Sequence, residues 1–309
     1  MRSTLAVAVT LAACAACVVD HRLASEPSCL FGASTASRGT PGDLGERAAM
    51  EALERDVGRT MDLDRIFHQW DDAVPGDRER WTIAAGRTPL VSFNGRGAQK
   101  VSWQQVASGA MDAHLGQIAD GFRALGARAF CIYHHEPDND TPEFGDAADF
   151  RAAFRHVVAV FRAHGAANVV WSFNMKSPSF ATLADGYYPG DDVVDWISAS
   201  VYNFGTTQPG GRWLSLRALL SDFHDWATPK GKPLLLAEWA TLDDPGDPAR
   251  KPGWIADAAD LVASWPEIRA MSYFDGAPAT GKSYALESSP TSDAAFRKLA
   301  ASPIFEPRR

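Results

Sequence analysis

Eight short apolar runs, each followed by a stretch with helical spacing, constrain this chain more than any other feature. The runs are Leu30 to Ser34, Asp62 to His68, Pro89 to Asn94, Ala129 to Glu136, Asn168 to Phe173, Val194 to Tyr202, Pro233 to Glu238 and Ile268 to Phe274. Several carry almost no polar residue, as strands do when both faces of a sheet are covered. Among the intervening stretches, Ala113 to Leu125 and Asp149 to His164 are the clearest helices. The second repeats Phe150, Phe154, Val157, Val158 and Phe161 along one helical face, and Gly126 and Gly165 stand where the two helices should stop. Trp213 to Trp226, Trp254 to Trp265 and Asp293 to Leu299 read the same way. A strand then a helix, repeated eight times, predicts an α/β fold, the (β/α)8 TIM barrel, in a single domain. The 309 residues suit one such barrel of about 250 residues with loop additions. A doubly wound open sheet is the structural alternative, but no Gly-rich phosphate turn supports it.

The first 26 residues stand apart. Arg2 precedes an apolar, small-residue stretch from Leu5 to Val19, too short to span a bilayer and shaped like an export signal. Leu11-Ala12-Ala13-Cys14 also resembles a bacterial lipobox, so plain secretion and lipid anchoring at Cys14 both stay open. Residues 1–26 are therefore read as a signal peptide, of ordinary or lipoprotein type, and 27–309 as the catalytic domain. The expected location is secreted or extracytoplasmic, with membrane contact only through a lipid at Cys14. Cys29 and Cys131 remain in the mature chain; they fall on the first and fourth strands, which are not neighbours, and two separate buried thiols are expected. A formal net charge of −8 with no basic run argues against a nucleic-acid partner. A monomer is expected.

Catalytic groups of such barrels sit at the C-terminal ends of strands. Two carboxylates occupy such ends. The fourth run terminates at Glu136, where Pro137 stops regular pairing. The seventh, Pro-Leu-Leu-Leu-Ala-Glu, terminates at Glu238. With strict alternation Leu234, Leu236 and Glu238 share a face, which would aim Glu238 along the barrel axis. A retaining glycosidase needs a pair of this kind: one protonated acid for the leaving oxygen and one ionised nucleophile, about 5–5.5 Å apart. Strands four and seven face each other across a barrel mouth, so the pair can meet over a sugar. No cofactor is needed. A metal site is disfavoured, since position 139 is Asn where the helical zinc signature requires His, and Pro137 opposes that helix. Gly-x-Ser-x-Gly is absent, which leaves a Ser nucleophile unsupported.

Aromatic rings at a barrel mouth suit a glycan, whose C–H faces stack on them. Trp70, Trp103, Trp171, Trp239 and Tyr273 lie in or just after the proposed strands, with Trp171 and Trp239 the best candidates. Asn94 and His68, which end the third and second strands, are polar groups placed to contact substrate. For His68 a satisfied core or rim role weighs equally.

His134-His135-Glu136-Pro137-Asp138, together with Leu235-Leu236-Ala237-Glu238-Trp239, resembles glycoside hydrolase clan A and within it family 26. That family places a His directly before its acid/base Glu, as His135-Glu136 does, and its nucleophile in a context like Ala237-Glu238-Trp239. The segment 193–203 resembles its sixth-strand signature, which implies a Tyr202 hydrogen bond to the nucleophile, and Val170 to Asn174 resembles its fifth strand. The resemblance implies Glu136 as acid/base, Glu238 as nucleophile, and a polysaccharide or oligosaccharide substrate, first of all a β-1,4-mannan cut internally. Departures follow Glu136, in Pro137 to Pro142, and on the eighth strand, where Ser272-Tyr273-Phe274 stands in place of a frequent Trp. Other β-glycans therefore stay open: β-1,3-xylan, mixed-linkage glucan or a cell-envelope glycan. So does a non-catalytic carbohydrate-binding envelope lipoprotein. Strict alternation would put His134 rather than His135 on the face of Glu136, and a bulge is required to bring His135 into the site.

Overall fold

In the computed structural model, which describes residues 28–36, 42–207, 210–276 and 283–306, the eight runs form eight parallel strands. They are β1 (Leu30–Thr35), β2 (Leu63–His68), β3 (Thr88–Phe93), β4 (Ala129–Tyr133), β5 (Val169–Lys176), β6 (Trp196–Asn203), β7 (Leu234–Thr241) and β8 (Ile268–Asp275). Each pairs with its neighbour in sequence, and β8 closes on β1, giving a closed barrel. Parallel neighbours require a crossover, and helices supply it. They are α1 (Asp43–Val57), α2 (Asp77–Ala84), α3 (Trp103–Ala107), α4 (Asp112–Leu125), α5 (Pro137–Asp140), α6 (Ala147–Ala163), α7 (Ala184–Tyr187), α8 (Leu216–Ala227), α9 (Arg250–Ser264) and α10 (Pro290–Ala300). The (β/α)8 expectation is met. The signal segment and Cys14 lie outside the described residues.

Two apolar layers hold the barrel together. Leu30, Leu63, Leu90, Phe130, Ile132, Leu235, Ala237 and Ala270 fill its interior. A larger layer lies between sheet and helices, with Phe31, Val91, Cys131, Trp171, Leu236 and Trp239 facing outward. On α6, Phe150, Phe154, Val157, Val158 and Phe161 are all buried in that layer. Each is worth about 1.5–3 kcal/mol of burial. Asp146 caps the helix by accepting from the Asp149 amide at 2.9 Å, and Gly126 takes the left-handed torsion that ends α4. Cys29 and Cys131 are buried free thiols, as expected. No helix among the described residues is long and apolar enough to cross a membrane.

The strand faces differ from strict alternation where it matters most. Leu234 and Leu236 face the helices, whereas Leu235 and Ala237 face the interior. Glu238 still turns inward, because the register of β6 and β7 slips. Ala199 pairs with Leu236 and Ser200 with Glu238, so Ala237 has no partner. This bulge puts two consecutive residues on the inner side. Glu238 therefore reaches the barrel mouth by an irregularity of β7 and not by sharing a face with Leu234 and Leu236.

Candidate active site

The strand ends enclose a cleft of about 1070 Å³ into which both Glu136 and Glu238 project, with His135, Tyr202, Phe67, Phe274 and Tyr284 around them. Glu238 is buried at 4% exposure and fully engaged. Arg65 on β2 donates to its Oε1 at 2.9 Å, and the Tyr202 hydroxyl donates to its Oε2 at 2.6 Å. Burial alone would raise the Glu238 carboxyl. The Arg65 charge and the hydrogen bonds from Arg65 and Tyr202 act together against it, so the group is held below the usual carboxylate range. Tyr202, buried beside this anion, keeps its proton well past its ordinary range and acts as a donor.

Glu136 has the opposite surround. Burial and the neighbouring Glu238 charge push its carboxyl up to about 8, although a Ser200 hydrogen bond opposes them. Ser200 is also the residue of β6 in register with Glu238. Adjacent strands lie about 4.8 Å apart, so one serine links the surroundings of both carboxylates. The Glu136 amide donates to Asn174 Oδ1 at 3.1 Å. His135 faces the cleft as well, its Nδ1 lying 3.1 Å from Ser92 Oγ. Burial drives its pKa down to about 4, so the ring is neutral at pH 7. The device that admits His135 is not a bulge. β4 ends at Tyr133, and left-handed torsions at His134 (φ 51°) and Glu136 (φ 52°) swing consecutive side chains to different sides. His134 turns away from the cleft into a buried cluster with Trp103 and Asp140.

Five residues expected at the substrate are placed elsewhere. Trp171 is 3% exposed and packs on Phe161 and Phe154 of α6, at ring-centroid distances of 4.9 and 5.9 Å. Trp239 and Tyr273 are fully buried against each other at 5.0 Å, behind the sheet. Period-two geometry explains all three. Each lies next in sequence to an inward residue (Ser172, Glu238, Phe274) and so points at the helices. His68 also points outward and is committed to Glu79, at 2.6 Å. That pairing raises its pKa although burial works the other way. Asn94 is buried at 7% exposure, and its Oδ1 accepts from the Arg96 amide at 2.8 Å. Neither lines the cleft. A Trp171→Ala variant should lose about 3–5 kcal/mol of stability, the usual cost of emptying a buried Trp site, with KM within twofold of wild type. Denaturant melts and KM on any active substrate would check this, and a large rise in KM at unchanged stability would return Trp171 to the cleft.

The cleft aromatics are instead Phe67, Tyr202, Phe204, Phe274 and Tyr284. Phe67, 37% exposed, lies over the Arg65 guanidinium at 4.1 Å and edge-on to His135 at 5.3 Å. Sequence pattern does not single out Arg65, yet a signal exists. A cation in the middle of an apolar strand is costly unless an anion meets it inside.

Comparison with solved structures finds this architecture among family 26 glycoside hydrolases. A family 26 β-mannanase from Bacteroides ovatus shares 16% identity, covers 89% of each chain and superposes with a TM-score of 0.65. A family 26 protein from Muricauda sp. is 14% identical at TM-score 0.66, covering 92% of this chain and 88% of its own. A modular endo-β-1,4-mannanase from Cellulomonas fimi is 16% identical at TM-score 0.63, over 90% of this chain and 72% of that one. At these identities the likeness is one of fold. By sequence the chain is 27% identical over 270 residues to Endoglucanase H of Acetivibrio thermocellus, covering 81% of this chain and 29% of that protein. The chain thus spans less than a third of that relative's length. No family model matches it.

Proposed function

We propose that this chain, a (β/α)8 barrel with the family 26 fold, is a retaining hydrolase of a β-linked glycan, with Glu136 as acid/base and Glu238 as nucleophile. The observation that carries the reading is the opposed proton affinity of two carboxylates in one cleft: Glu136 keeps a proton near neutrality and Glu238 does not. Glu136 protonates the glycosidic oxygen while Glu238 attacks the anomeric carbon. A glycosyl ester forms on Glu238, and Glu136, now ionised, takes a proton from the water that hydrolyses it. Two displacements on one carbon retain its configuration. Arg65 and Tyr202 hold the two oxygens of Glu238 at 2.9 and 2.6 Å. They steady the anion before attack and favour its departure as leaving group afterwards.

The first substrate to test is a β-1,4-mannan cut internally, in keeping with the mannanases that share the fold. A second reading, a β-glucan such as a mixed-linkage polymer, draws on the higher identity to an endoglucanase. The charge pattern suits a neutral polymer in both cases. Arg65 is neutralised by Glu238, and Lys176 at the rim is engaged by Asn139 at 3.1 Å and Asp138 at 3.6 Å. The export signal read at residues 1–26 puts such an enzyme outside the cytoplasm, with or without a lipid at Cys14. A panel of mannan, mixed-linkage glucan, β-1,3-xylan and cell-envelope glycan, with the first product followed by proton NMR, tests the reading. Initial release of the β-anomer is expected. Initial release of the α-anomer would exclude the retaining mechanism, and no turnover on any of the panel would favour a binding protein.

A further inference from the structure

The segment that carries Glu136 holds two non-glycine residues in left-handed torsions, His134 and Glu136, at φ 51° and 52°. L-residues adopt such torsions at a cost, and keep them only where the surroundings over-determine them. Around His134 they do. Its ring is 1% exposed, with the Trp103 indole Nε1 3.0 Å from its Nδ1. An indole N–H can only donate. Nδ1 is therefore the acceptor, and the neutral ring carries its proton on Nε2. That proton faces Asp140 Oδ2 at 2.6 Å, and the other oxygen of Asp140 is ion-paired with Arg96. Phe144 closes the cluster, edge-on to the His134 ring at 4.7 Å.

These four polar groups tie β4 to the end of α5, across the residues that enter the cleft. The far side of the same segment is tied to β5 and to the turn that follows it. The Glu136 amide donates to Asn174, and Ser179 Oγ donates to Asp138 Oδ2 at 2.6 Å. Trp103, His134, Asp140 and Arg96 do not line the cleft, whereas His135, Glu136 and Asn139 do. We infer that Trp103, His134, Asp140 and Arg96 form a positioning relay, which fixes the torsions of residues 134–136 and so aims the Glu136 carboxyl at the leaving-group oxygen. The inference rests on the reading of Glu136 as the acid. The relay holds no reacting atom. It acts through the backbone, and a displacement of about 1 Å at a reacting group can cost on the order of 10²-fold in rate.

The test compares leaving groups in His134→Phe, which keeps an aromatic ring in the cluster and loses both hydrogen bonds. Values of kcat/KM are measured on a β-linked oligosaccharide and on the matching 2,4-dinitrophenyl glycoside, whose leaving group needs no acid. The oligosaccharide value should fall about 30–100-fold, up to the low end of a full general-acid contribution. The dinitrophenyl value should fall no more than about threefold, because nucleophilic attack by Glu238 is untouched. His134→Gln, which restores a donor to Asp140, should recover most of the loss. Amide hydrogen exchange in residues 134–140 should quicken about tenfold in His134→Phe and not elsewhere. Equal losses on both substrates would mark a general packing defect and overturn the relay, as would no loss at all or unchanged exchange. Should His134→Phe fail to fold, Asp140→Asn carries the same comparison. If the wild type cleaves no glycoside the proposed function fails, while the exchange measurement still decides whether the four groups hold residues 134–140 in place.

Discussion

Replacing Glu238 with Ala should abolish turnover of the polysaccharide, by on the order of 10⁴-fold or more, the scale expected when a covalent nucleophile is deleted. Azide should then restore cleavage of an activated β-glycoside and leave an α-glycosyl azide. The geometry gives this rescue a specific basis. Deletion leaves the Arg65 guanidinium, fully buried at its side chain, and the Tyr202 hydroxyl both facing the vacated space. A small anion there meets the same cation and donor that held the carboxylate. The same residues predict a stability cost. Removing one partner of a buried ion pair typically costs about 3–5 kcal/mol, and water entering from the cleft should reduce that toward the lower end. Glu238→Gln, whose amide oxygen keeps an acceptor for one of the two donors, should be equally inactive and closer to wild type in melting temperature. Wild-type turnover persisting in Glu238→Ala would end the assignment of Glu238, and an azide adduct of β configuration would point to a different nucleophile.

How much of this was legible in the sequence depends on which regularity is asked for. The eight strands are readable because buried parallel strands are apolar on both faces, and each is found within two or three residues of its expected bounds. Glu136 and Glu238 are readable because a carboxylate ending such a strand needs a reason. Facing is less legible. It follows a period of two only until a strand is irregular, and both strands that lead to the paired carboxylates are irregular at the residues that matter. Ala237 bulges out of the β6–β7 register, and His134 and Glu136 leave β4 in left-handed torsions. The aromatic residues show the same limit. Trp171, Trp239 and Tyr273 draw attention, but each is one position out of phase with the cleft. The inward Phe67, Tyr202 and Phe274 form its wall instead. Tyr202 was legible through family resemblance. Arg65 depends on a partner 173 residues away in sequence, which no local pattern reveals.

Glu136→Ala should separate the two halves of the proposed reaction. With a poor leaving group, kcat/KM should fall about 10²–10⁴-fold, the usual contribution of a general acid. With a 2,4-dinitrophenyl glycoside the first step should survive and the second should stall, since no base remains to activate water. The glycosyl enzyme should then accumulate, visible as an added sugar mass on intact protein. Azide needs no base, so it should release the sugar as a β-glycosyl azide, opposite in configuration to the adduct expected from Glu238→Ala. The pH dependence follows from the same carboxyl. Glu136 must be protonated to act, and burial with the Glu238 charge pushes it up to about 8. Wild-type kcat/KM should hold below that value and decline toward tenfold per unit above it. Glu238 must be ionised and lies below the usual carboxylate range, so the acidic limb should fall at lower pH than an ordinary glutamate would give. In Glu136→Ala the decline above pH 8 should vanish, because the group whose proton it reports is gone. If that limb persisted in the variant, the proton would belong elsewhere in the cleft, and Glu136 would lose its place as the acid.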